Sequence, residues 1–385
     1  MTSEPTRRKK SVLGLFPELL GVGGIQEASR IVVNAFEDIL PQRGWTLALL
    51  GLNDPPGEQY LTMGDSSIPV RGFARAKAKF VLSVMELARK SSPEDVRIVV
   101  AGHPNLAVPA AWMRRFSPRL KTIVLAHGVE VWTPLPAFRR RALLKADIVV
   151  VPSSDTAKKL VEIQGVSPEK IRKLPWPLNP AFLRAAESPE KLQRPEGFPE
   201  GNVVLTIGRW SASERYKGAD DLISAIAQMR DGGNDAQLVV AGSGDDLPRL
   251  RGLAVQLRIE SRVYFFEKMS RVDIAACYAH ADVFALPSSG EGFGLVFLEA
   301  MAFGKPVVAA TAGGPMDIVE DGANGFLVPP KDVAAIALSL GRLLGDDRLR
   351  ADMGRRALQT VHEKYRFEVF RENLEHILME CGLDR

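Results

Sequence analysis

The chain has 385 residues, more than one hydrophobic core comfortably organises, so two domains are expected. Hydrophobic residues make up 46% and charged residues 25%, an ordinary globular balance that excludes a disordered or fibrous chain. Two cysteines, Cys277 and Cys381, exclude a disulfide framework and fit a reducing compartment, and no Cys/His cluster with metal-ligand spacing is present.

No window approaches the ~18 consecutive apolar residues of a membrane span. Arg7, Arg8, Lys9 and Lys10 ahead of SVLGLF imitate a signal peptide, but Pro17 and Glu18 break the apolar run almost at once. They read as a basic tail feeding a buried strand. A cytoplasmic protein is expected, peripheral at most on the inner face of the cytoplasmic membrane. The net charge of +4 conceals an asymmetry: residues 1–180 hold 26 Lys and Arg against 16 Asp and Glu, the rest 24 against 30. The basic runs are Arg71, Arg75, Lys77 and Lys79, then Arg114 and Arg115, then Arg139, Arg140 and Arg141. They form either a solvated surface or a face for something anionic, a membrane or a phosphorylated substrate. Nucleic acid is disfavoured, because no aromatics interleave the basic runs.

In chain order, the predicted strands are SVLGLF, TLALL, RIVVAG, KTIVLAH and DIVVVPS, then VVLTIG, QLVVAG, VYFF, DVFALPS and PVVAA. Each is uniformly apolar, as expected of parallel strands covered on both faces. Helix-like segments alternate with them, so two α/β, Rossmann-like doubly wound domains facing a cleft are predicted. Residues 174–201, with Pro175, Pro177, Pro180, Pro189, Pro195 and Pro199, read as the linker. Residues 354–382 read as helices long enough to cross back onto the first domain. The expected domains are 11–180 with a returning C-terminal helix 366–385, and 201–365.

Ligands of such sheets bind outside the carboxyl ends of the strands, so the loops there carry the candidates. Gly23 and Gly24 open a long helix and would let backbone amides meet a phosphate, although a tight turn needs glycine anyway. The spacing is not that of a dinucleotide site. His127, directly beyond KTIVLA, can hydrogen-bond a bound sugar, the alternative being a satisfied core histidine. Ser153 and Ser154 can equally cap the next helix. Arg209 and Lys217 after VVLTIG suit a diphosphate, Arg as a fork and Lys as a point charge, against a plain surface pair. Gly242 and Gly244 allow close approach to a ligand, or form a turn. In SSGEGFGLVFLEAMAFG, a helix starting near Phe293 would aim the amides of Phe293, Gly294 and Leu295 at an anion or hydroxyls. Glu291 and Glu299 are no hydrolase pair: eight helical residues rise ~12 Å, beyond the ~5–9.5 Å of glycosidase carboxylates. They suit gripping two parts of one elongated ligand.

In this order the motifs GGIQ, HGVE, GRW with a later KG, EGFGLVFLEAMAFGKPVVA, GGPMDIV and GANGFLV resemble the retaining glycosyltransferases of family 4. The resemblance covers most of the chain and implies the GT-B fold. It implies that Arg209 and Lys217 hold a donor diphosphate, that Glu291 and the Phe293–Leu295 amides hold the transferred sugar, and that Glu299 holds the ribose hydroxyls. It further places His127 at the donor sugar and Gly23 and Gly24 at the phosphates or the acceptor. Glu267 stands where the family commonly has glycine, and Asp317 where it has glutamate. No D-x-D triplet is present, in keeping with a fold that needs no catalytic metal; no other cofactor is expected. The function implied is transfer of a mannose- or glucose-type hexose from a nucleotide diphosphate sugar to a glycan or lipid-linked acceptor. The alternatives are a GT-B-shaped epimerase and a non-catalytic sugar-nucleotide-binding subunit.

Overall fold

The computed structural model describes residues 10–21, 23–63, 66–90 and 96–384. Arg7, Arg8 and Lys9 of the expected basic tail lie outside them. The chain divides into two compact units, one running to Pro175 and resuming at Phe370, the other Trp176–Val369.

The first unit holds β1 (Ser11–Phe16), β2 (Thr46–Gly51), β3 (Gly57–Met63), β4 (Ser66–Gly72), β5 (Val96–Ala101), β6 (Lys121–Leu125), β7 (Ile148–Val151) and β8 (Ile171–Lys173). They form one sheet in the order β3-β4-β2-β1-β5-β6-β7-β8. Five of these strands match the apolar runs, and β1 is buried from Val12 onward. The hairpin β3–β4 escaped the sequence reading. It pairs antiparallel, Gly57 opposite Gly72 through Met63 opposite Ser66. Exposed and buried residues alternate along β4, so these strands lack the uniformly apolar signature of the rest. The sheet is therefore mixed rather than all-parallel. Residues from Phe370 pack on this unit through buried Leu374, Ile377 and Leu378, with Glu375 held 2.6 Å from Arg43 and Glu380 2.6 Å from Arg172.

The second unit holds β9 (Val203–Ile207), β10 (Gln237–Ala241), β11 (Val263–Phe266), β12 (Val283–Leu286), β13 (Val307–Ala310) and β14 (Gly325–Val328), all parallel, in the order β11-β10-β9-β12-β13-β14. In both sheets the first strand lies inside and the winding reverses beside it. The switch points fall between β1 and β5, and between β9 and β12, where ligands of doubly wound sheets bind.

Residues 176–200, read from composition as a linker, belong to the second unit. Pro180 opens the helix Pro180–Ala186, where a missing N–H costs nothing, and the Asn179 side chain caps it by accepting from Ala181 N–H at 2.8 Å. Phe182 is buried 6.3 Å from the Tyr278 ring, and His280 Nε2 donates to Leu192 O at 2.9 Å. Pro180 and Pro189 start helices rather than loosen a tether. Cys277 and Cys381 are free and buried, and burial pushes both thiols up to about 12. Among the described residues, no helix is long and apolar enough to cross a membrane.

Candidate active site

In the first unit the loop after β1 is built by long-range contacts. Buried Asp54 accepts from the amides of Leu19 at 3.0 Å and Leu20 at 2.8 Å, while Arg30 donates to Leu19 O and Gly21 O at 2.9 and 2.7 Å. These hold the approach to Gly23, the N-cap of the helix Gly24–Gln42, which has no side-chain cap of its own. The first amides of that helix, at Gly24 and the residues after it, are therefore its open end. Asp54 and Arg30 were not singled out from sequence, being distant and lacking a motif.

Across the switch point, His127 Nε2 lies 2.8 Å from Gly102 O. A carbonyl only accepts, so Nε2 carries the proton. That proton is thereby spent on the backbone rather than left for a ligand. His103, unnoticed in the sequence, stacks 6.2 Å from His127, and its Nδ1 accepts from Asn105 N–H at 3.1 Å. Burial lowers the His103 pKa, so this ring is neutral with its proton on Nε2. Glu130 accepts from the His127 backbone N–H. Ser153 caps the next helix by accepting from Thr156 N–H, the plainer of its two readings.

In the second unit, Trp210 locks the loops after β9 and β10. Its indole donates to Ala241 O at 2.9 Å and its backbone N–H to Ser243 O at 3.0 Å. A Cβ at Gly242 would lie 1.9 Å from Gly208 O, and one at Gly244 1.9 Å from Trp210 O. What presses on these two glycines is protein backbone, which by itself accounts for them. The turn Ala212–Lys217 follows, braced by Asp245, which accepts from Ala212 N–H at 3.0 Å, and by buried Asp246, which takes Arg215 at 2.9 Å. It ends at Gly218 (φ +78°), where a Cβ would meet Pro287 O at 2.8 Å, and Tyr216 O accepts from Ser289 N–H at 2.8 Å. This close approach brings Lys217 to the loop after β12.

That loop carries Glu291. Gly314 N–H donates to Glu291 O at 2.8 Å, and a Cβ at Gly313 or Gly314 would strike Glu291 O at 2.3 Å or Phe293 Cα at 2.4 Å. The GGP segment thus shapes the Glu291 loop, a role not foreseen from sequence. Burial raises the Glu291 carboxyl above its ordinary range, while the charge of Lys217 and the Gly292 amide oppose the rise. The charge of Lys217 therefore acts on Glu291. Glu214, missed in the sequence reading, is nearly buried and pairs with both cations: Oε1 takes Arg209 and Oε2 lies 3.6 Å from Lys217 Nζ. Arg209 is mostly exposed, its side chain 73% accessible against 16% for Lys217.

The helix begins later than expected. It spans Leu295–Ala302 with Gly294 as N-cap in a left-handed conformation (φ +102°), so Glu291 to Gly294 is loop and the ~12 Å helical spacing does not apply. Phe297 N–H bonds Gly294 O at 3.0 Å, leaving the preceding amides as the open end of the helix. Glu299, within this helix, accepts from Tyr278 OH at 2.8 Å.

Burial pushes the Glu299 carboxyl up to about 7, against Tyr278 and Arg271, which lower it. Its pKa is thus higher folded than unfolded, where it is 4.5. The folded protein keeps a proton that the unfolded chain releases, so stability falls as pH rises from 4.5 to about 7. The loss is at most about 3 kcal/mol. Glu299→Gln is expected to melt higher than the parent at pH 8, with the difference vanishing near pH 4. Parallel melting curves at all pH values would show a solvated carboxylate instead.

Comparison with known proteins follows the same division. Residues 188–360 match the family described as Glycosyl transferases group 1, and residues 32–182 match Glycosyltransferase Family 4. The chain is 35% identical over 270 residues to a D-inositol 3-phosphate glycosyltransferase from Acidothermus cellulolyticus, covering 65% of this chain but 57% of that protein. It is 33% identical over 260 residues to a GDP-mannose-dependent alpha-(1-6)-phosphatidylinositol monomannoside mannosyltransferase from Mycolicibacterium smegmatis, covering 65% and 67%. HepE of Anabaena, solved in complex with UDP, superposes with a TM-score of 0.72 at 20% identity over 96% of this chain and all of that one. That likeness extends to the whole fold, which is GT-B. The chain belongs to glycosyltransferase family 4.

Proposed function

We propose that the protein is a retaining hexosyltransferase that moves a mannose- or glucose-type sugar from a nucleotide diphosphate donor to a hydroxyl acceptor. The observation that carries this reading is the contact of the Tyr216–Gly218 and Pro287–Ser289 segments, which sets Lys217 beside Glu291 at a topological switch point. Lys217 and Arg209 would take the leaving diphosphate, with the open amides before Phe297 adding partial positive charge. No resident metal or cofactor enters the reading. Glu214 halves the net charge of the cation pair in the ligand-free protein, so an arriving diphosphate competes with it. Glu291 would face the transferred sugar, where positive charge develops as the bond to phosphate breaks. A front-face exchange, in which the leaving phosphate takes the proton of the incoming hydroxyl, needs no second carboxylate. Glu299 would accept from ribose hydroxyls, His127 would lie at the donor sugar, and Gly23 and Gly24 would lie at the phosphates or the acceptor.

A relative named as GDP-mannose-dependent and a neighbour solved with UDP support a nucleotide diphosphate donor without choosing its base. The acceptor is proposed to be a glycan or lipid-linked precursor, with the basic first unit towards an anionic membrane face. A 610 Å³ cavity there supports it, lined by Phe73 and exposed Leu82 and edged by Arg71 and Lys79. Arg114 and Arg140 are used internally instead, on Asp147 and on Gln164 O.

Melting the protein with UDP-, GDP- and ADP-sugars tests the reading. A true donor at 100 times its dissociation constant adds about 2.7 kcal/mol of stability. Stabilisation by none of them, or stabilisation without transfer to any acceptor, overturns the enzymatic assignment. Epimerisation of the donor without an acceptor would redirect it to an epimerase.

A further inference from the structure

Tyr278, on the helix Arg271–His280, is among the largest fully buried side chains of the protein. Its ring stacks 5.9 Å from Phe303 and lies 5.8 Å from Phe284 and 6.3 Å from Phe182. A phenol in an aromatic shell is costly unless its hydroxyl is bonded. The two acceptors in reach are Val296 O at 3.2 Å and Glu299 Oε2 at 2.8 Å, both on the helix Leu295–Ala302. One hydroxyl proton serves one acceptor well, and the shorter, charge-assisted contact is the carboxylate.

We propose that Tyr278 is a positioning residue of the donor site, which fixes the direction of the Glu299 carboxylate and keeps its Oε2 an acceptor, so that Oε1 meets the ribose hydroxyls of the nucleotide. This rests on the reading of Glu299 given above. The ring cannot swing away, because aromatic neighbours hold it. The other elements packed on the Glu299 helix are apolar towards it: Phe182 from Pro180–Ala186, Met353, Ala357 and Val361 from Asp347–Lys364, and the valines and alanines of β13. Arg271, on the tyrosine's own helix, is the charged group that acts on Glu299, and it favours the ionised form as Tyr278 does. A protonated Glu299 offers fewer lone pairs to two hydroxyls, so donor binding follows its ionisation.

The test titrates UDP-glucose and GDP-mannose into the parent, Tyr278→Phe, Glu299→Gln and the double variant by calorimetry from pH 6 to 9. For whichever nucleotide sugar the parent binds, Tyr278→Phe is expected to raise Kd roughly tenfold at pH 7, the loss of one hydrogen bond to a charged group. Its pH midpoint moves upward, and the gap closes by pH 9. In the double variant the phenylalanine adds nothing. Should the phenylalanine variant not fold, 3-fluorotyrosine at position 278, a stronger donor, is expected to move the midpoint down. If Glu299→Gln binds as the parent does, the ribose reading of Glu299 is wrong. If Glu299→Gln weakens binding while Tyr278→Phe changes neither Kd nor its pH midpoint, Tyr278 is merely core and the positioning role alone is overturned.

Discussion

Glu291→Gln is expected to lower kcat by about 100- to 1,000-fold while leaving the donor Kd near that of the parent and the melting temperature no lower. The carboxylate takes the Gly292 amide, but the loop that carries it is held through its backbone, by Gly314 and the close approach of Gly313. Glutamine keeps the volume and the loop, and removes only the charge. An interaction realised mainly as the glycosidic bond breaks acts on rate rather than on binding. Because burial holds the carboxyl above its ordinary range, activity falls on acidification earlier than a solvated glutamate would allow. A glutamine variant with parental kcat removes Glu291 from the chemistry.

Lys217→Ala is expected to cost ~2–4 kcal/mol of barrier, roughly 30- to 1,000-fold in rate, through loss of a charge-assisted contact to the leaving phosphate. The lysine is the better placed of the two cations, largely shielded while Arg209 is mostly exposed, so Arg209→Ala should cost less. Lys217 also lowers the Glu291 carboxyl, so removing it raises that group's pKa further. The acid limb of the rate profile should therefore move to higher pH in Lys217→Ala. Rates measured from pH 5 to 8 check both statements. An unmoved acid limb would separate the two residues and break up the proposed site.

Much of the architecture was legible because parallel strands buried on both faces write themselves as short uniform apolar runs. Ten such runs located ten of the fourteen strands among the described residues. Those missed are the hairpin β3–β4, whose residues are largely exposed or alternate, the three-residue β8, and the edge strand β14, four residues opening on Gly325. The proline-rich stretch misled for a definite reason: composition reports turn propensity, whereas Pro180 and Pro189 each stand at the first position of a short helix.

By itself the sequence determined which residue types stand at the mouths of the sheets, because loops after apolar runs are local features. Lys217, Glu291 and His127 stand in such loops. Only the tertiary structure decided how they are used. Gly242 receives the backbone of Gly208, and Gly218 that of Pro287. Glu214 binds both cations, His127 spends its Nε2 proton on Gly102 O, and Tyr278 fixes Glu299 across an aromatic shell. Most of these pairings join residues 21 to 69 positions apart, beyond the few residues over which periodicity reports burial. A carboxylate's partner and its desolvation are set by what the fold packs against it, and no spacing within a motif encodes that.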